Sequence, residues 1–119
     1  MRRLSFAVAI TGVVAVVAAS AAFAAAPNIA KFSAPVTGLR YDRKVVHAHA
    51  GRITIVFLNR SPLRHNVNIE HGETELGKTA TIARGTTSVW VTLKPGKYNF
   101  YCSVPGHEDA GMHGTLVVA

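Results

Sequence analysis

From Lys44 onward the chain alternates apolar and polar residues in short runs, and each run stops at a turn former. Lys44 to Ala50 is the first clear run, ended by Gly51. Arg52 to Asn59 follows, rich in β-branched and aromatic residues, and Ser61-Pro62 breaks it. His65 to Glu70 alternates, so that His65, Val67 and Ile69 share one face and Asn66, Asn68 and Glu70 the other. Lys78 to Arg84 and Thr86 to Leu93 are two further candidates, separated by Gly85. Lys94-Pro95-Gly96-Lys97 is a turn. Alternation then returns from Lys97 to Cys102, with Tyr98, Phe100 and Cys102 on one face, and Thr115 to Val118 closes the chain. Asn28 to Tyr41 is expected to add one or two edge strands, with Pro35 restricting its pairing. No helical stripe of useful length follows Ala25. Seven or eight short strands, with turns roughly every 8 to 12 residues, predict an all-β antiparallel sandwich.

The first residues follow a different pattern. Arg2 and Arg3 form a basic start, and Leu4 to Ala26 is almost entirely apolar or small, without charge. Positive, then apolar, then small is the order of a secretory signal, and Ala22-Phe23-Ala24 fits the cleavage rule. Residues 1–24 are therefore expected to be a signal peptide and residues 25–119 the domain. An uncleaved anchor is the alternative, because an apolar run of ~20 residues can span a bilayer. Either way the domain is expected outside the cytoplasm, in the periplasm or its equivalent.

About 95 residues then remain, enough for a single core. Losing Arg2 and Arg3 lowers the formal charge from +7 to +5. The basic residues are scattered, with no dense run and no stacking aromatics between them, which argues against a nucleic-acid surface. A mild positive charge suits an acidic protein partner or an anionic membrane surface. A monomer is expected. Cys102 is the only cysteine, so the domain has no internal disulfide. A lone thiol in an oxidising compartment must be buried and inert, paired with another chain, or bound to metal.

The stretch Tyr101-Cys102-Ser103-Val104-Pro105-Gly106-His107-Glu108-Asp109-Ala110-Gly111-Met112-His113-Gly114 narrows the choice. Cys102, His107 and Met112 are five residues apart each time, on a loop between two predicted strands. Upstream, His65 lies on the apolar face of its strand, where an unpaired imidazole is costly to bury. Taken singly, Cys102 reads as a buried thiol, Met112 as core packing and His65 as a hydrogen-bonded core histidine. Taken together they supply two imidazoles, a thiolate and a thioether. A three-coordinate thiolate–imidazole plane with a weak axial thioether is the ligand field of a copper electron-transfer site. Exported zinc sites usually carry several cysteines and seldom a methionine.

These residues resemble the cupredoxin family over roughly Val45 to Val118. The strongest parts are His65-Asn66 and Cys102-Ser103-Val104-Pro105-Gly106-His107 with Gly111-Met112-x-Gly114. The four-residue gaps on both sides of His107 are most similar to the rusticyanin and sulfocyanin branch. The resemblance implies an eight-stranded Greek-key sandwich holding one Cu(I)/Cu(II) ion through His65, Cys102, His107 and Met112. It also implies that Asn66 bridges to the ligand loop through Ser103, a tie that would keep the site rigid without metal. Azurins place a glycine before the first histidine and use its carbonyl as an extra ligand. Here Arg64 stands in that place, so no fifth ligand is expected.

The resemblance further implies a carrier of single electrons between redox partners such as a cytochrome or a copper enzyme. Catalysis is disfavoured: related copper enzymes put a histidine beside the ligand cysteine, whereas Cys102 is flanked by Tyr101 and Ser103. A binuclear copper site would need a second cysteine. The rival reading is envelope copper binding or trafficking, which would favour exposed methionine-rich or histidine-rich ligands. His47 and His49 are read as exposed strand positions, His71 as part of a loop, and His113 and Tyr101 as pointing away from the metal.

Overall fold

A computed structural model describes residue 5, residues 7–20 and residues 26–119. The expected cleavage site, Ala22-Phe23-Ala24, and the expected first mature residue, Ala25, lie outside the described residues. Residues 7–20 form neither helix nor strand, and their large apolar side chains are exposed. Among the described residues no helix is long and apolar enough to cross a membrane.

Eight strands follow: β1 (Ile29–Ala34), β2 (Val45–Ala48), β3 (Gly51–Asn59), β4 (Asn68–His71), β5 (Thr74–Lys78), β6 (Gly85–Leu93), β7 (Gly96–Tyr101) and β8 (His113–Val118). They make a three-stranded sheet in the order β1-β3-β6 and a five-stranded sheet in the order β2-β8-β7-β4-β5. Period-2 alternation does the sorting: in β3, Ile53, Ile55 and Phe57 are fully buried, Thr54 and Val56 between them are half-buried, and Arg52 and Leu58 on either side are exposed. Facing them, Phe100 and Leu116 come from β7 and β8. Phe32 meets Phe100 edge to face at 4.8 Å, and Tyr41 meets Phe100 at 5.2 Å and Phe57 at 6.0 Å. Each such buried aromatic contributes about 1.5–3 kcal/mol through its removal from water, so these rings bind the two layers to each other.

The sandwich is the predicted class, with three corrections to its details. The sheets are mixed and not purely antiparallel, since β1 pairs parallel with β3 and β2 parallel with β8. The chain passes to the other sheet between β1 and β2 and returns before β3, which brings β1 and β3 side by side in one direction. Lys78 to Arg84 is not a strand. Its polar groups turn to the loop around His65: Thr79 donates its N–H to the Val67 carbonyl and its Oγ1 accepts the Val67 N–H, and only Ile82 makes a β-bridge, to His65. The true strand here is β5, whose residues are nearly all exposed and so carry no alternation. Lastly, the regular strand beginning at His65 starts instead at Asn68 and runs to His71, which ends β4 at a hairpin and is not in a loop.

Two connections assemble one end of the sandwich. The chain leaves β3 at Asn59 and turns through Ser61 to Arg64 before reaching His65. Strand β7 ends at Tyr101, and residues 102–112 loop over to β8. All the sequence-predicted ligands lie on these connections.

Candidate metal centre

His65 is held by its backbone. Its N–H donates to the Ile82 carbonyl and its carbonyl accepts the Ile82 N–H, both at 3.0 Å. The preceding turn is shaped by buried amide chemistry: Asn59 Nδ2 donates to the carbonyls of Leu63 (2.8 Å) and Ile82 (2.6 Å), and Asn59 Oδ1 accepts the Ser61 N–H. Arg64 points outward and donates to the Thr81 carbonyl. His65 itself is fully buried.

The loop supplies the other residues and ties them to one another. His107 N–H donates to the Val104 carbonyl (3.1 Å), Met112 N–H to the His107 carbonyl (3.0 Å), and Cys102 N–H to the Met112 carbonyl (3.0 Å). Gly106 and Gly111 have positive φ, +82° and +118°, which residues with a side chain rarely adopt, so glycine closes both turns of the loop. Cys102 and Met112 are buried, and His107 is half-buried.

Three donor atoms converge. The Nδ1 atoms of His65 and His107 are 3.1 Å apart, and Cys102 Sγ lies 3.5 Å from His107 Nδ1 and 3.9 Å from His65 Nδ1. A point equidistant from all three lies about 2 Å from each, close to ordinary metal–nitrogen and metal–thiolate bond lengths. Burial, aided by the neighbouring His107, pushes the His65 pKa below the ordinary histidine value and favours the neutral, metal-binding imidazole. Metal on Nδ1 puts the remaining proton on Nε2, which is buried without a hydrogen-bond partner in the protein. The donor set therefore fits one soft or borderline cation. Met112, fully buried, is joined to both Cys102 and His107 through its own backbone.

Asn66 connects the two halves. Its Nδ2 donates to Ser103 Oγ (2.8 Å) and Thr81 Oγ1 (2.9 Å), its Oδ1 accepts the Ser103 N–H (2.9 Å), and its carbonyl accepts the Tyr41 hydroxyl (2.5 Å). Burial, with smaller effects from Cys102 and Glu108, raises the Tyr41 pKa far above the ordinary tyrosine value. The parts played by Tyr41 and Thr81 escape a reading of the sequence, because neither belongs to a local motif. The remaining histidines stay apart: His47, His49, His71 and His113 are all exposed. Tyr101 turns from the core and accepts a hydrogen bond from Asn68 at 3.1 Å.

A β-sandwich with a thiol and two imidazoles converging at one end has the form of a mononuclear metal-binding protein. Comparison with known proteins agrees. The chain belongs to the cupredoxin-like domain family, whose model matches residues 7–118. With this family fold, the converging donor set fits a single copper ion as cofactor. A dithionite-reduced auracyanin from Roseiflexus castenholzii is 26% identical and superimposes with a TM-score of 0.71 over 81% of this chain and 99% of its own. Rusticyanin from Thiobacillus ferrooxidans, 16% identical, shares the fold with a TM-score of 0.64 over 76% of each chain. The copper-resistant cuproprotein CopI of Rubrivivax gelatinosus is 31% identical over 84 residues, 63% of this chain and 50% of CopI. This chain thus spans about half the length of that relative.

Proposed function

We propose that this chain is an exported type 1 copper protein that shuttles single electrons, and that His65, Cys102, His107 and Met112 would hold its copper ion. The observation that carries this reading is the triangle of Nδ1, Nδ1 and Sγ, with edges of 3.1, 3.5 and 3.9 Å, on a backbone pinned by Asn66 and Ser103. Bound copper supplies a one-electron couple. The chain's own residues do the rest. Cys102 would supply a thiolate donor and His65 and His107 two imidazoles, a set acceptable to both oxidation states, and Asn66 limits their rearrangement by tying the His65 segment to the ligand loop. Little rearrangement means a low barrier to electron transfer.

Two further points belong to the same reading. Residues 1–24 serve as a cleaved signal, supported by the basic start, the apolar run and the lack of packing of residues 7–20. N-terminal sequencing of the exported protein tests it. Partners meet the protein at the ligand loop, where Pro105 and Gly106 are exposed and His107 is half-buried. A redox protein with an acidic rim suits the net positive charge.

Adding cupric salt to the purified protein should give an intense blue colour and a rhombic or axial signal with narrow copper hyperfine splitting in electron paramagnetic resonance. Reductant should bleach it, and an oxidised cytochrome should restore it. A colourless product sinks the site. The likeness to a copper-resistance protein favours a second reading, envelope copper trafficking. In that case copper passes to an acceptor without redox turnover.

A further inference from the structure

Lys44 lies outside every motif in the sequence and just ahead of β2, yet its ammonium reaches the ligand loop 67 residues away. Nζ donates to the Gly111 carbonyl at 2.9 Å and lies 3.5 Å from the His113 carbonyl. These are the carbonyls on either side of Met112. The Gly111 carbonyl also accepts the His113 N–H at 2.9 Å, so Met112 is the central residue of a three-residue turn.

The approach is built into the fold. The Lys44 carbonyl accepts the Thr115 N–H at 2.8 Å, which fixes the Lys44 backbone beside β8. Gly114 permits this closeness, since a Cβ there would collide with the Lys44 carbonyl and the Phe100 ring. Among the described residues Lys44 has no carboxylate partner, so its charge is directed at the turn alone.

Gly111 supplies the reason a clamp is useful. It sits at φ +118°, a conformation that residues with a side chain rarely adopt, and with no side chain of its own it leaves the peptide joining it to Met112 few steric restraints. A charge-assisted hydrogen bond to the carbonyl of that very peptide opposes its rotation. The direction in which the Met112 side chain leaves the backbone depends on this peptide.

We propose that Lys44 is the positioning residue for Met112, clamping the Gly111–Met112 peptide and the His113 carbonyl just beyond it, and thereby setting where the Met112 sulfur would stand relative to bound copper. This rests on the reading of Met112 as the axial ligand. The role differs from that of a surface charge, which would shift the midpoint potential uniformly and yield to salt.

The test uses the protein with Lys44→Met, Lys44→Arg and, as a charge control at the opposite end of β7, Lys97→Met. In metal-free protein the His113 amide should exchange about tenfold faster in Lys44→Met, as expected on losing a hydrogen bond to a charged donor. In copper-loaded protein the ratio of the two thiolate-to-copper absorption bands and the rhombicity of the paramagnetic resonance signal should change. Lys44→Arg should restore both, and Lys97→Met should alter neither. An unchanged spectrum in Lys44→Met overturns the proposal, whatever the exchange rate or potential, and so does an unchanged exchange rate. A wild-type protein that takes up no copper in a blue site instead overturns the function proposed above, while the exchange measurement still decides whether the clamp exists.

Discussion

Asn66 grips Ser103 at two points, donating from Nδ2 to the hydroxyl at 2.8 Å and accepting the backbone N–H on Oδ1 at 2.9 Å. The two residues are 37 positions apart in sequence, and each adjoins a member of the donor triangle, His65 on one side and Cys102 on the other. Asn66→Ala should therefore loosen the site before it unfolds the protein. It removes three partly buried hydrogen bonds, to Ser103 and Thr81, at a cost of about 1–3 kcal/mol in denaturant unfolding of metal-free protein. Copper affinity, read by competition with a chelator, should fall about 10- to 100-fold. An affinity equal to wild type would show that the two halves are held by something else.

Tyr41 connects to the same residue from the opposite side, and its chemistry gives a pH signature. Its hydroxyl donates to the Asn66 carbonyl inside the core, and burial holds its pKa well above the ordinary value of about 10. Above pH 10 the unfolded chain loses this proton while the native state keeps it, so native stability should fall by about 1.4 kcal/mol per pH unit from this group alone. Phenylalanine has no proton to lose. Tyr41→Phe should be about 1 kcal/mol less stable than wild type at pH 7, and the gap should shrink as the pH rises above 10. Lysines and the other tyrosines are common to both proteins and cancel. A constant gap would mean that Tyr41 ionises freely in the native state.

Two glycines separate rigid from yielding surroundings. A Cβ at Gly114 would meet the Lys44 carbonyl and the Phe100 ring, whereas one at Gly77 would meet a methyl of Val91. Backbone and a buried ring cannot move aside cheaply, but a valine can change rotamer. Gly114→Ala should cost about 3 kcal/mol or more and Gly77→Ala about 1 kcal/mol in denaturant unfolding. Equal costs would show that the β2–β8 edge can part without penalty.

How much of this was legible beforehand depends on the distance over which each feature is specified. Arg52 to Asn59 and Thr86 to Leu93 announced themselves by residue type and alternation, because each strand buries one face. Cys102 and His107 share a loop, so their spacing alone suggested a joint role. His65 could be added because an imidazole on an apolar face needs a partner. Strand β5 was invisible, since Glu75 and Lys78 are solvated and nothing in their pattern demands pairing. The parallel pairings depend on which sheet the chain enters, a choice made by packing of distant segments. In the sequence Lys44 is one basic residue among scattered others; only the folded chain brings it to Gly111.

Met112 is fully buried, as a ligand and a core residue both are. Two substitutions of similar size separate the roles. Met112→Gln places an amide oxygen where the thioether stood, and a hard oxygen donor stabilises Cu(II) over Cu(I). Met112→Leu removes the donor and leaves an apolar side chain, which withdraws axial support from Cu(II). If Met112 is the axial ligand, the midpoint potentials should move in opposite directions, down for Gln and up for Leu. Each shift should exceed about 60 mV, the one-electron equivalent of a tenfold change in relative affinity. If Met112 only packs, both variants should alter the potential little. Metal-free Met112→Gln should then be the less stable of the two by about 1–3 kcal/mol, the cost of burying an amide without partners. Voltammetry on the two variants, beside unfolding of their metal-free forms, therefore distinguishes ligand from filler. Two potentials displaced in the same direction would remove Met112 from the ligand set and leave the trigonal plane of His65, Cys102 and His107 to account for the redox chemistry alone.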